Sequence, residues 1–276
     1  MRTLSQLYHP ITGTPFLADE TYREIAPCLA LRPYIRCFWG SDRPLPARPS
    51  TEDGLVIPDT CMDIIFHVDY ASNLIGSSFC ALDEHSSRTP ASHESGGLCA
   101  TFAIRFYAWT ACLFAEDSLR GSVNGRFPAA AFFRRIERVL TPVLFDETTL
   151  EGKIRITEKL LLSLLHNGKA DAAVLNAVHH MLQSSGRARI SDVSAALALS
   201  PRQLERRFDA VMGVSPKTFA SLTRYQLLWQ DMLLSPRFDP LGAVDKFGYT
   251  DQAHLLKDFR KRHLMSPREA IEFARK

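Results

Sequence analysis

Arg202, Gln203, Arg206 and Arg207 crowd into the string PRQLERRFDAVM. Side chains of these types do recognition rather than bond-making. Arg and Gln carry paired hydrogen-bonding groups that match the major-groove edges of guanine and adenine. A second string, GYTDQAHLLKDFRKRH, carries Thr250, Gln252, His254, Lys257 and Lys261. Lysines and helix ends of this kind grip phosphates and set register without reading sequence.

Both strings belong to a repeated frame. Residues 204–216 read LERRFDAVMGVSP and residues 255–267 read LLKDFRKRHLMSP. Leu204, Phe208 and Pro216 match Leu255, Phe259 and Pro267 at a constant offset of 51 residues. In the first copy, Ser191-Asp192 offers a cap for a short helix, DVSAALA. Ser200 then caps a second helix with Pro201 at its first position, where a missing N–H costs nothing. Leu204, Phe208 and Val211 share the inward face, and Gly213 suits a left-handed helix end. In the second copy, LGAVDKF ends at Gly248-Tyr249 and Thr250 caps the next helix, which presents Gln252, His254, Lys257, Lys261 and Arg262 outward. Short helix, tight turn and basic helix is the pattern of a helix-turn-helix. Between the copies, Phe219, Leu222, Tyr225, Leu228, Trp229 and Leu233 recur at helical spacing. They predict one long helix that holds the two readers apart.

Here the sequence resembles the AraC/XylS family of bacterial transcription regulators. The resemblance covers about residues 171–270 and is carried by ISDVSAALALSPRQLERRFDAVMGVSPKTF and GYTDQAHLLKDFRKRHLMSP. The second copy departs from the family pattern at Leu264, where Gly is usual, at Lys257, where Arg is usual, and at Ala243-Val244, where Ile-Ala is usual. The resemblance implies an all-α pair of helix-turn-helix units on double-stranded DNA and no cofactor. It also implies an N-terminal cupin-like sensor with a small-molecule effector. Activation, the family's commoner mode, implies contact with RNA polymerase.

Charge agrees with that division. The chain has 276 residues and a net charge of +3. From Gly186 onward it holds 16 Lys and Arg against 10 Asp and Glu, whereas the remainder holds 17 against 20. A basic third on a mildly acidic remainder suits a nucleic-acid module joined to something that avoids phosphates. No apolar run approaches a membrane span of ~18 residues, and the N-terminus has no apolar leader. A cytoplasmic protein is expected.

The first part reads as β. LVIPDTCMDIIF and ATFAIRFYAW are rich in β-branched and aromatic residues. In the latter, Phe102, Ile104 and Phe106 alternate with Ala103, Arg105 and Tyr107. LRPYIRCFWG and LVIPDTCMDIIF resemble one branch of the family's sensors. Trp39, Phe66, Phe79, Phe102, Phe106 and Trp109 either fill a barrel core or line an effector pocket. Helices follow, marked by Phe132, Ile136 and Leu140, then by Ile156, Leu160 and Leu164. They pack on the barrel or present an apolar stripe to a second subunit, as in a homodimer. The polar string at 166–171 marks the boundary. The expected fold is therefore α+β, with a mostly-β cupin-like barrel and helices over residues 1–167. An all-α double helix-turn-helix domain follows over 168–276.

Other chemistries compete. All six cysteines lie in the first 112 residues and none forms a CxxC pair. Cys80, His85, His93 and Cys99 are zinc-ligand types at no standard spacing, and His67, His85 and His93 are scattered. A thiol- or metal-responsive sensor would use Cys61, Cys80 or Cys99. A repair or enzymatic domain targeted by the helix-turn-helix pair would need a clustered cysteine site. No nucleophile elbow or phosphate-cradling glycine loop is present, and no catalytic residue is expected.

Overall fold

A computed structural model describes residues 3–46, 54–89, 97–165, 170–235 and 238–275. The N-terminal half is built on antiparallel strands β1 Arg23–Ile25, β2 Ile35–Gly40, β3 Leu45–Pro46, β4 Gly54–Val56, β5 Cys61–Asp69, β6 Leu74–Cys80, β7 Ser87–Thr89, β8 Leu98–Tyr107 and β9 Arg126–Pro128. Seven of them pair in the order β1-β2-β8-β5-β6-β9 with β3 also on β8, and β4 pairs with β7 apart. Among the described residues the expected barrel is an open sheet in its hydrogen bonding, ending at β1 and β9.

The register sorts side chains between two faces. Phe38 lies beside Ile104, and Ile104 beside Ile64. Phe66 pairs with Phe102, Met62 with Phe106, and Ile64 with Phe79. These residues line one buried face, as the alternation in β8 predicts. Helices α2 Ala130–Asp146 and α3 Leu150–Leu165 supply Phe133, Ile136, Leu140, Leu144, Ile154 and Leu161 to the same core. The buried row of α3 runs through Ile154, Thr157, Leu161 and Leu164, whereas Ile156 and Leu160 are half-buried on its flank.

A short helix, α1 Leu4–Leu7, packs on α4 Ala172–Gln183. The helix-turn-helix half follows as α5 Ile190–Ala196, α6 Pro201–Met212, α7 Pro216–Leu234, α8 Pro240–Phe247, α9 Gln252–His263 and α10 Pro267–Ala274. Of the boundary expected at 166–171, residues 166–169 lie outside the described residues. The Ser-Pro pairs that close each copy turn out to open the next helix. Ser215 caps α7 and Ser266 caps α10, with the proline at the first helical position in both.

The two halves share cores. Phe219 of α7 meets Trp109 edge-on at 6.0 Å and Phe208 at 6.1 Å. Leu55 and Ile57 join Tyr225, Trp229, Phe247 and Phe259 in a second cluster. Polar contacts seal the seam. Gln226 is fully buried. Its Nε2 donates to the carbonyls of Ile11 (3.1 Å) and Pro58 (2.7 Å), and its Oε1 accepts from Ile11 N at 3.0 Å. The C-terminal half therefore satisfies backbone groups of the N-terminal half, as buried polar atoms require.

Candidate nucleic-acid interface

Helix α6 starts in a capping box. Ser200 Oγ accepts from Gln203 N at 3.2 Å, and Gln203 Oε1 accepts from Ser200 N at 2.8 Å. The helix ends at Gly213, whose φ of 70° closes it in the left-handed conformation. Leu204, Phe208 and Met212 are buried. The opposite side is exposed, and there Arg202, Gln203, Glu205 and Arg206 line an open groove of about 680 Å³. The same groove takes in Asp209, Gly213 and Ser215, together with Arg120 from the N-terminal half.

This arrangement refines the four α6 candidates. Arg202 and Arg206 stand one helical turn apart in the groove, without an ion-pair partner among the described residues. Gln203 is exposed, but its carboxamide oxygen is occupied by the capping box. One oxygen lone pair and the two amide N–H groups remain, and the cap fixes the direction in which they can meet a base. Arg207 points elsewhere: its Nη1 lies 2.7 Å from Asp171 Oδ2, and Asp171 also caps α4. Glu205 also lies in the groove; an acid runs against the charge expected of a DNA reader, so its residue type does not mark it in the sequence. Its carboxylate can accept from cytosine N4.

In the second unit, Thr250, Gln252, His254, Lys257 and Lys261 are all exposed. The cap is Asp251 rather than Thr250: its Oδ1 accepts from His254 N at 2.7 Å. Thr250 N donates to His254 Nδ1 at 3.4 Å, which orients the exposed ring. The ring stands edge-on to Tyr249 at 5.3 Å. Arg262 is not outward. It is 8% exposed, and its Nη2 donates to Ser221 Oγ at 2.8 Å and its Nη1 to the Glu84 carbonyl at 3.2 Å. His263 is fully buried beside it, stacked on Phe259 at 4.8 Å and bonded through Nδ1 to Tyr225 OH at 2.8 Å. Burial pushes its imidazole down to about 4, so the ring is neutral.

Leu264 closes α9 where the first unit has Gly213. It adopts the same left-handed conformation, φ 60°, and its N–H reaches the Arg260 carbonyl at 3.0 Å. A side chain with a Cβ costs ~1–2 kcal/mol there, and Leu264 is 50% exposed, so it recovers little by burial. Leu264→Gly is expected to raise stability by about 0.5–1 kcal/mol, read as a higher denaturant midpoint at unchanged slope. A lower midpoint would show that the leucine's packing outweighs its backbone strain.

The aromatic effector candidates separate into three places. Phe66, Phe79, Phe102 and Phe106 are fully buried and pack ring on ring: Phe66 and Phe102 at 6.4 Å, Phe79 and Phe133 at 4.9 Å, Phe106 and Phe133 at 5.9 Å. Trp109 stacks on Tyr107 at 4.8 Å and reaches the seam with α7. Trp39 is on the other face of the sheet, where its Nε1 donates to Asp63 Oδ1 at 2.9 Å and Arg105 lies over its ring. The six do not surround one space.

Cys37 and Cys61 are buried, and burial raises both thiols; it pushes Cys80 up to about 11. Such thiols hold their protons and are poor nucleophiles. Among the described residues no group of three or more His, Cys, Asp or Glu could hold a metal ion, and His93 lies outside them. No helix among them is long and apolar enough to cross a membrane.

A pair of tandem helix-turn-helix units behind a β-rich half defines the class as that of DNA-binding transcription regulators. Residues 193–272 match the family model of a helix-turn-helix domain, and residues 23–124 match a domain of unknown function. The C-terminal region is an AraC-type helix-turn-helix domain. Among solved structures, the chain is similar to ToxT from Vibrio cholerae O395 at 11% identity and a TM-score of 0.41, over 86% of this chain and 98% of that one. It is also similar to unsaturated fatty acid bound wild-type ToxT from Vibrio cholerae strain SCE256, at 10% identity and a TM-score of 0.39, over 85% and 94%. No curated protein matches the chain.

Proposed function

We propose that this chain is a sequence-specific transcription regulator that reads operator DNA through α6 and α9 under control of its N-terminal half. The observation that carries the reading is α6: one side is buried and its start is locked by a capping box. Its other side offers Arg202, Glu205 and Arg206 to an open groove. Arg202 and Arg206 are the base readers, Gln203 adds its amide donors, and Arg207 positions α6 against α4. In the second unit Gln252 and His254 read bases, and Lys257 and Lys261 hold phosphates, with Thr250 orienting His254.

Residues 1–167 form the effector-responsive half and 168–276 the DNA-binding half. Support for the coupling lies in the seam, where Gln226, Trp229, Arg262 and Asp209 all bond to N-terminal segments. A small molecule that shifts the sheet would shift α7 with it. The work of such a regulator belongs in the cytoplasm, at promoters. An activator of this kind touches RNA polymerase, and a homodimer would double the sites read.

Arg206→Ala tests the reading. A bidentate guanine contact is worth ~1–3 kcal/mol of discrimination, so affinity for a selected operator should fall about 10- to 100-fold. Affinity for unrelated duplex should fall far less. If specific affinity stays within twofold at fixed salt while the fold is intact, Arg206 does not read bases and the reading of α6 fails.

A further inference from the structure

We propose that Arg120, a residue of the N-terminal half, belongs to the DNA-contacting surface and grips a phosphodiester beside α6. The inference rests on the reading of α6 as a DNA reader and adds a contact from the other half of the chain.

After β8 the chain runs through a single turn, Ala111–Leu113, to a loop at 117–122 that lies on the C-terminal end of α6. The loop is pinned. Leu119 is fully buried, its N–H reaches the Ala210 carbonyl at 3.2 Å, and Ser118 Oγ reaches the same carbonyl at 3.2 Å. Gly121 N donates to Asp209 Oδ1 at 3.3 Å. The approach is so close that a Cβ at Gly213 would sit 2.7 Å from the Leu119 carbonyl oxygen. Arg120 is therefore held in place at the groove rather than carried on a loose tip.

Its side chain is 58% exposed and pairs through Nε with Asp209 Oδ2 at 2.9 Å. That leaves the two terminal nitrogens of the fork for an anion in the groove that Arg120 shares with Arg202 and Arg206. Charge decides what the groove accepts. Its arginines are Arg120, Arg202 and Arg206, its acids Glu205 and Asp209. The balance is +1 with Arg120 and zero without it. Asp209 sits three residues after Arg206, on the side that faces DNA, where a bare carboxylate would repel phosphates. Arg120 cancels it and restores a positive face. Two further features point to the same occupant. The N-cap residues of α6 and α7, Ser200 and Ser215, both border the groove, and helix N-termini favour phosphate oxygens.

A competing view is that Arg120 only fastens the two halves together. Two substitutions separate the views because they predict opposite signs. If Arg120 grips a phosphate, Arg120→Ala weakens DNA binding, whereas Asp209→Asn strengthens it by removing a repelling charge. If Arg120 is only a fastener, both variants break the same link and change binding in the same direction.

The experiment uses the full-length chain and two duplexes: one selected by the wild-type chain from a random-sequence pool, and one unrelated. Affinities are measured across a salt series. One phosphate contact contributes about 0.9 to the slope of log affinity against log salt. Arg120→Ala should therefore lower that slope by about one and weaken binding roughly five- to tenfold near 0.1 M salt. The loss should be similar on both duplexes, because a phosphate contact carries no sequence information. Arg120→Lys should keep the slope. An unchanged slope with affinity within twofold overturns the proposal, as does tighter binding by Arg120→Ala. If Arg206→Ala weakens specific binding in the same series while Arg120→Ala does not, only this inference falls. If neither does, the reading of α6 falls with it.

Discussion

Arg105→Ala is expected to destabilise the protein by about 3–5 kcal/mol, the range for removing one partner of a buried ion pair. The melting temperature should drop on the order of 10 °C. Arg105 is the hub of a charged network on the sheet face opposite the phenylalanines. Its side chain is 11% exposed. Its Nε lies 2.9 Å from Asp63 Oδ1 and its Nη2 3.1 Å from Asp63 Oδ2, a fork-to-fork pair. Its Nη1 lies 3.4 Å from Asp59 and 3.7 Å from Glu24. Asp63 and Asp59 are themselves only 13% and 15% exposed. Truncating Arg105 therefore leaves carboxylates in a poorly hydrated site without their counter-charge, which costs far more than the pair contributed.

The pH dependence of the variant gives a second check. Burial holds the Asp59 carboxyl up at about 6, and Arg105 is the main influence pulling it down. Without Arg105 it rises further and takes up a proton near neutrality. A folded-state value raised above the unfolded one gives stability that is present at low pH and lost as pH rises through it. The deficit of Arg105→Ala relative to wild type should thus be largest above about pH 6 and shrink on acidification toward pH 5. Arg105→Lys keeps the charge but not the fork, and should fall between the two. Equilibrium denaturation of the three proteins from pH 5 to 8 decides the matter. A loss below 1 kcal/mol, flat with pH, would mean that water already carries these charges.

Arg105 also shows what was legible. The period-two pattern in ATFAIRFYAW puts it on the face away from Phe102 and Phe106, and the structure agrees. Its partners were not legible, because Asp63 and Glu24 arrive from other strands and Asp59 from the loop before β5. The C-terminal half was read more fully because its signals are local. Ser200-Pro201, Gly213 and Ser266-Pro267 each fix a helix end within a few residues. The errors there are local as well. Arg262 lies seven residues after Leu255 and three after Phe259, so helical spacing places it inward although its charge favours solvent. Thr250 and Asp251 are both cap formers, and only Asp251 has the carboxylate that reaches His254 N. Glu205 has the sign opposite to that expected of a DNA reader, so its type gave no signal. The seam between the halves joins residues such as Ile11 and Gln226 that are far apart in the chain, and no periodicity reports such a contact. Arg120 and its groove belong to that category.

Trp229→Ala should cost about 3–5 kcal/mol, the range for truncating a buried tryptophan, and should do so unevenly along the chain. Trp229 is fully buried on α7. His263 lies 4.5 Å from its ring and Phe259 6.1 Å, so α9 rests on it. Its Nε1 donates to the Thr12 carbonyl at 3.0 Å, so the segment before the sheet rests on it too. Phe208 and Phe219, which support α6, belong to the other core cluster. The cavity therefore opens under the second reader and leaves the first supported. On the proposed reading, the variant should lose protection over the half-site contacted by α9 while retaining that contacted by α6, in a footprint made below its melting temperature. Trp229→Phe isolates the hydrogen bond: most of the apolar volume stays and the Thr12 carbonyl loses its donor, a loss of ~1–3 kcal/mol. If both half-sites vanish together in Trp229→Ala, the two units unfold as one body and α7 transmits the defect along its whole length. If neither weakens, α9 draws its stability from α8 and α10, and the ring serves only to fasten the N-terminal segment.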